Sequence, residues 1–325
     1  MSSIKNDLAR FFQQIAADKD LPREVVRKAM EDALALAYRH THKGVTVKRV
    51  ALNDERGDMR VWLTKDNDSE EEVVVSMAEL GRIGAYAVRN HFEQMLRYAE
   101  ADYLADSMKA KVGWLAQGVV QPYNREHRVT LVRVDKVDAI LPAREQVPGE
   151  RYYPNRVITV LIKEVRVVDR LLQVIVSRSC SEFVQATLRQ EVPEIASGEI
   201  EVVSIARDPG VRTKVVVRSL APNVNAVAAC IGTRGSRVQQ INRLLGLNES
   251  IDIVPWSDDL VKFVTAALGI EGPAKITAVE EKRLRVALPE RQVSLAIGRG
   301  GSNAHLAGTV VGYELDLIAA EENAA

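Results

Sequence analysis

Two short glycine strings hold the chemistry of this chain: Ile231-Gly232-Thr233-Arg234-Gly235-Ser236 and Ile297-Gly298-Arg299-Gly300-Gly301-Ser302, the same Ile-Gly-x-x-Gly-Ser pattern sixty-six residues apart. Glycine lacks a Cβ, so it lets a chain turn sharply between two helices and lets a sugar-phosphate strand lie directly on backbone amides. Arg234, Arg237 and Arg299 add cations for phosphates, while Ile231 and Ile297 offer an apolar floor for unstacked bases. That combination suits single-stranded nucleic acid. A glycine pair can also serve merely to cap a helix, but its recurrence in matching contexts argues for a shared function.

Each string follows an apolar stretch (227–231; 293–297) and precedes a helix-like one (237–245; 303–311). Each unit then closes on a strand-like run carrying one acid, Ile251-Asp252-Ile253-Val254 or Leu315-Asp316-Leu317-Ile318. Two copies of one small αβ unit are implied. A Gly-x-x-Gly hinge between helices resembles the device by which KH domains clamp about four nucleotides of RNA.

The rest of the chain must position these loops. The 325 residues suffice for two to four domains with real cores, since 46% are hydrophobic. Charge balances overall at 44 basic against 44 acidic residues, yet residues 108–180 carry 13 Lys/Arg against 7 Asp/Glu. That basic segment alternates in short runs (114–121, 127–134, 137–141, 156–165, 171–177) broken by Pro122-Tyr123-Asn124, Pro142 and Pro148-Gly149-Glu150. Five strands predict an OB-type β-barrel, either a second RNA surface through Tyr123, Arg125, His127, Arg128 and Arg133 or a spacer. Tyr152 and Tyr153 read as core or turn residues.

Upstream, Ile4, Leu8, Phe11, Phe12 and Ile15 recur at helical spacing, and Pro22 opens a second amphipathic helix through Tyr38. A hairpin is expected from 45–52 and 59–63, and a solvated loop from the acidic run 66–72. A long helix from about 87 to 111 is expected as a spacer arm leading to the barrel.

Catalysis finds no machinery. Neither glycine string ends in the Gly-Lys-Ser/Thr of a P-loop, and the five histidines are scattered. No Gly-x-Ser-x-Gly occurs, and Cys180 and Cys230 have no partners at metal-ligand spacing. No cofactor or metal is therefore expected. The absence of a long apolar run and of signal-peptide order predicts a cytoplasmic protein without membrane contact, and no apolar seam calls for more than a monomer.

The order of these modules, with strings such as 191–195 (Glu-Val-Pro-Glu-Ile), 206–215 (Ala-Arg-Asp-Pro-Gly-Val-Arg-Thr-Lys-Val), 230–239 and 251–256 (Ile-Asp-Ile-Val-Pro-Trp), resembles the NusA family of bacterial transcription factors over essentially the whole chain. The resemblance implies a multidomain α+β protein. An N-terminal α/β polymerase-binding domain with its long linker helix occupies 1–107, the five-stranded OB-type barrel 108–180, and two type II KH domains 181–254 and 255–325. It further implies a non-enzymatic factor that binds RNA polymerase core and nascent single-stranded RNA, alters pausing, termination and antitermination, and works with other antitermination factors. RNA contacts would fall on Gly232, Thr233, Arg234, Gly235 and Arg237, on Gly298, Arg299, Gly300, Gly301 and Asn303, and more weakly on Arg212 and Lys214. An RNA-decay or ribosome-associated subunit without polymerase contact is the alternative.

Departures from the family pattern include Ala228 in place of a glycine, Tyr313 in place of a tryptophan, and Gly308-Thr309 inside a helix. The glycine there is expected to cost about 1 kcal/mol. The few residues after 318 leave no acidic C-terminal repeats, so regulation by such repeats is not expected. The short join Val254-Pro255-Trp256-Ser257 predicts a fixed orientation of the two KH units, with Trp256 a packing anchor in preference to a base-stacking residue.

Overall fold

The computed structural model describes residues 2–53, 58–64, 70–76, 81–122, 129–246, 248–271 and 274–320. It divides into two compact units: residues 1–110 with 165–173, and residues 111–164 with 174–325. No helix among the described residues is long and apolar enough to cross a membrane.

In the first unit, α1 (Ser2–Lys19) and α2 (Arg23–Thr41) precede an antiparallel sheet of β1 (Thr46–Asn53), β2 (Asp58–Thr64) and β3 (Glu70–Ser76), followed by α3 (Gly81–Lys109). The apolar stripes meet the sheet in one core containing Phe12, Val26, Leu34, Met59 and Val61. Two expectations change here. The end of the acidic run is an edge strand, with Glu72 paired to Arg60 at 3.3 Å and Val75 buried, because charged residues are tolerated where a sheet edge faces water. The long helix is no free spacer arm, since Phe92 and Leu96 of α3 are buried in the same core.

The second unit opens on five strands, β4 (Leu115–Val120), β5 (Thr130–Val134), β6 (Val137–Leu141), β7 (Val157–Val168) and β8 (Leu171–Ser177), closed in the order β4-β5-β6-β8-β7, with residues 165–173 at the β7–β8 turn counted in the first unit. After it the same topology occurs twice. In the first repeat α4 (Ser181–Glu191) and the short α5 (Pro193–Ala196) lead to β9 (Ile200–Asp208), β10 (Arg212–Ser219), α6 (Ala226–Ile231), α7 (Ser236–Leu245) and β11 (Ser250–Pro255). The second consists of α8 (Leu260–Leu268), β12 (Lys275–Glu280), β13 (Arg283–Leu288), α9 (Glu290–Ile297), α10 (Ser302–Val311) and β14 (Glu314–Ala319). Each sheet pairs its first two strands antiparallel and its last two parallel, β10 with β11 and β13 with β14.

The repeats are joined by packing. Ala206, Val216 and Val254 of the first share one buried cluster with Val264, Leu268, Leu306 and Val310 of the second, and half-buried Trp256 packs against that cluster under the Arg218 guanidinium, 4.6 Å from its ring centre. Trp256 is thus an anchor. Gly308 is likewise required rather than tolerated: a Cβ there would sit 2.6 Å from the Tyr313 carbonyl oxygen, so the turn that leads from α10 into β14 demands glycine and the helix runs unbroken. Barrel and first repeat are held by Leu115 and Leu161 in the cluster around Phe183, whose ring centre lies 5.5 Å from each of the Arg178 and Arg207 guanidiniums.

Candidate nucleic-acid interface

Both glycine strings form the link between consecutive helices, α6 to α7 and α9 to α10, and their backbones match. Gly232 sits at φ 74°, ψ 171° and Gly298 at φ 74°, ψ 177°, a region open essentially to glycine alone. Gly235 and Gly301 are left-handed at φ 76° and 79°. Between them the repeats differ: Gly300 is left-handed at φ 59°, and its counterpart is Arg234 at φ 53°, ψ 29°. A left-handed non-glycine residue costs about 1–2 kcal/mol, so the first loop keeps an arginine at a strained position where the second uses glycine.

The glycines divide by role. A Cβ on Gly232 would meet Arg237 Cγ at 2.8 Å, and one on Gly298 would meet Asn303 Cβ at 2.7 Å, so the first glycine of each loop is needed by the fold itself. Gly300 and Gly301 face open space instead, and Gly235 meets side chains only at 3.8 Å. Thr233, Arg234, Arg299 and Gly300 are exposed at the loop tips, and Ile231 and Ile297 are each 38% exposed as the apolar floors beside them.

Hydrogen bonding sorts the remaining expected contacts. Arg237 is half-buried and donates from Nη1 to Ala229 O at 2.6 Å and to Glu194 at 2.8 and 3.1 Å, pinning the loop to α5. The Glu194 backbone N–H and Arg237, acting against partial burial, hold that carboxyl below its usual range. Asn303 is buried and donates from Nδ2 to Leu268 O at 3.0 Å and Ala296 O at 2.9 Å. Lys214 does not reach the groove. It is 2% exposed, its ammonium lies 2.9 Å from Asp252, and burial lowers its pKa, because it stands inside β10 between two paired strands. Arg212, two residues earlier at the start of β10, is only half-buried, its Nη1 3.0 Å from Asn303 Oδ1.

The β9–β10 hairpin is braced from within. Glu249, wholly buried, accepts from Arg207 Nε at 2.8 Å and Nη2 at 3.0 Å, from Gly210 N at 2.8 Å and from Thr213 Oγ1 at 2.6 Å. This brace aims Arg212 at a cleft of about 1090 Å³ between the hairpin and the second glycine loop. Arg291, Asn248 and Ser250 also line the cleft; nothing in their local sequence marks them, because they meet only through the packing of one repeat on the other.

On the barrel, Arg125 and Arg128, with Tyr123 and His127, lie outside the described residues. Arg133 is exposed and paired through Nε and Nη2 with Asp138, each contact 2.7 Å. The two tyrosines part company: the Tyr152 hydroxyl bonds Glu150 and the Val147 amide and is pushed up to about 12 by burial, whereas Tyr153 is 55% exposed. Trp114, 70% exposed, is a further aromatic that the sequence did not single out.

Comparison with known proteins agrees with this layout. Residues 7–72 match the NusA N-terminal domain, 178–256 the NusA-like first KH domain and 260–325 the NusA-like second KH domain. The chain is 34% identical over 330 residues to the transcription termination/antitermination protein NusA of Bacillus subtilis, covering 92% of this chain and 87% of that protein. This chain belongs to the NusA family. Relatives of the same name from Thermus thermophilus (32% identical, 98% of this chain, 91% of the relative) and Mycobacterium tuberculosis strain H37Rv (33%, 93% and 90%) extend the match. The two KH assignments fall on the two structural repeats, each of which contains one glycine loop.

Proposed function

We propose that this chain is a non-enzymatic transcription factor that binds RNA polymerase core through its first unit and nascent single-stranded RNA through its second, altering pausing, termination and antitermination in the cytoplasm as a monomer. The observation that carries the RNA part is the pair of loops with matching backbone angles, exposed tips and exposed isoleucine floors. Backbone amides at such a turn donate to phosphate oxygens, and Thr233, Arg234, Gly235, Arg299, Gly300 and Gly301 are the residues proposed to do so. Two linked sites on one strand gain apparent affinity through effective concentration, so each can be weak and released as transcript moves past. Gly232, Gly298, Arg237 and Asn303 act beneath them by holding loop shape.

The barrel's strand order, with β6 and β8 parallel at the closure, supports an OB-type reading. Exposed Trp114 and Tyr153 are its proposed stacking surface. The relatives' name, transcription termination/antitermination protein, supports a place in the transcription machinery, and polymerase core and other antitermination factors are the partners proposed.

Binding of purified polymerase core and of a fluorescent single-stranded RNA to the intact chain tests this reading. Two double variants, Thr233→Asp with Arg234→Asp and Arg299→Asp with Gly300→Asp, introduce acid at exposed tips without the clash that substitution at Gly232 or Gly298 brings. Loss of RNA binding with polymerase binding kept is expected. An intact chain that binds RNA but never polymerase would instead place it with RNA-decay or ribosome-associated proteins.

A further inference from the structure

One cleft of the first unit gathers charge of a single sign. Lys28 and Arg39 of α2, Lys48 and Arg49 of β1 and Arg170 of the β7–β8 turn line it, against a single carboxylate, Asp32, among its described lining residues. All of them belong to the first unit, and none lies in either glycine loop. The cavity is about 540 Å³, the size that encloses a small molecule. A cleft lined by one sign of charge focuses its field and concentrates anions.

The three guanidiniums are held by neutral groups. Arg39 donates from Nη2 to the Val47 carbonyl at 2.6 Å, Arg49 lies 3.9 Å from the centre of the Trp62 ring, and Arg170 lies 4.5 Å from that of Tyr98. A carbonyl and two ring faces orient a guanidinium without cancelling its charge. Asp32 stands 3.3 Å from the Lys28 ammonium in an exposed pair that water and salt screen. The rest of the wall is different in kind: half-buried Leu36 and Met95 and buried Val50 give it an apolar side. The Tyr98 hydroxyl accepts from Gln94 Nε2 at 2.7 Å, which leaves its own hydrogen to donate.

We propose that this cleft binds a nucleoside polyphosphate, its phosphates held by the lysines and guanidiniums and its base by the apolar side. Guanidinium forks match phosphate oxygens bidentately, which favours phosphate over the separate carboxylates of an acidic peptide. A nucleic-acid strand spreads its charge along a track, one phosphate per nucleotide, whereas a nucleoside polyphosphate sets several on adjacent phosphorus atoms beside a single base. Five cations around one small cavity with an apolar wall match the second arrangement. The first unit thereby carries a nucleotide site of its own, and the inference stands whether or not the glycine loops bind RNA.

The test is isothermal titration calorimetry of the full chain at low KCl with ATP, inorganic tripolyphosphate, AMP and adenosine. Binding of ATP and tripolyphosphate, weaker binding of AMP and none of adenosine are expected. Arg49→Gln combined with Arg170→Gln, both at exposed side chains, is expected to weaken ATP binding at least about 10-fold. Asp32→Asn removes the opposing carboxylate and is expected to tighten it about 2- to 5-fold, a gain that misfolding does not imitate. No ATP binding up to about 1 mM, equal affinity for AMP and ATP, or parental ATP affinity in either variant overturns the proposal. A single-stranded RNA of about 12 nucleotides is the competing source of phosphate. If it displaces ATP from a chain combining Thr233→Asp, Arg234→Asp, Arg299→Asp and Gly300→Asp, the cleft takes a phosphodiester strand and the nucleotide assignment is overturned.

Discussion

Replacing Arg234 by glycine removes backbone strain and a cation together, and the two consequences have opposite signs. At φ 53°, ψ 29° the arginine occupies the left-handed region that the second repeat gives to Gly300. Relief of that conformation is worth about 1–2 kcal/mol, and the added freedom of glycine in the unfolded chain returns about 0.4–1 kcal/mol. The net is a stability gain of roughly 0–1.5 kcal/mol, or a melting shift of about 0 to +6 °C for a unit of this size. RNA binding moves the other way. One lost phosphate contact predicts affinity lower by about 5- to 10-fold near physiological salt and a salt slope smaller by about 0.7. Differential scanning calorimetry of Arg234→Gly beside anisotropy titrations at several KCl concentrations reads both. A variant less stable than the parent by more than about 1 kcal/mol would mean that Arg234 holds the loop together, and unchanged affinity and slope would mean that the strain serves no RNA contact.

Three further outcomes follow from the same geometry. Glu249→Ala strips four donors of a wholly buried acceptor and is expected to cost about 3–5 kcal/mol in a urea titration, with RNA binding weakened through the loosened hairpin; a loss under about 1 kcal/mol would refute the brace. Lys214→Met replaces a buried cation whose partner Asp252 stays partly solvated, so stability is expected to change by less than about 1 kcal/mol with RNA affinity and salt slope unchanged; a slope smaller by about 0.7 would return Lys214 to the RNA contacts. Glu194 has its folded pKa below its unfolded one, so the unfolded state binds more protons in that window: its contribution is fully present above the ordinary glutamate value of about 4.3 and is lost as pH falls through the depressed one. Glu194→Gln is therefore expected to flatten the acid limb of stability in denaturant titrations between about pH 5 and pH 3, and parallel acid limbs in parent and variant would count against the Arg237 pin.

What the sequence determined by itself is local. Glycine at 232 and 298 is dictated by backbone angles that other residues do not adopt, and at 235 and 301 it is favoured by left-handed ones, so the loops, their helices and the twofold repeat were legible from spacing alone. Alternation and turn residues placed the five barrel strands for the same reason, each being a property of a short run. The edge strand at 70–76 was missed because its charged start imitates a loop, and the role of α3 because helical period does not say which helix covers which sheet. Only the tertiary structure decided what each side chain is free to do. Lys214 and Arg212 lie two residues apart on one strand and read alike as cations, yet one is sealed between paired strands on Asp252 and the other opens onto the second loop through Asn303. Gly232 and Gly298 read as room for RNA, and the fold spends that room on Arg237 and Asn303. Backbone conformation is written in neighbouring residues, whereas burial and charge pairing depend on partners tens of residues away that the chain brings together only on folding.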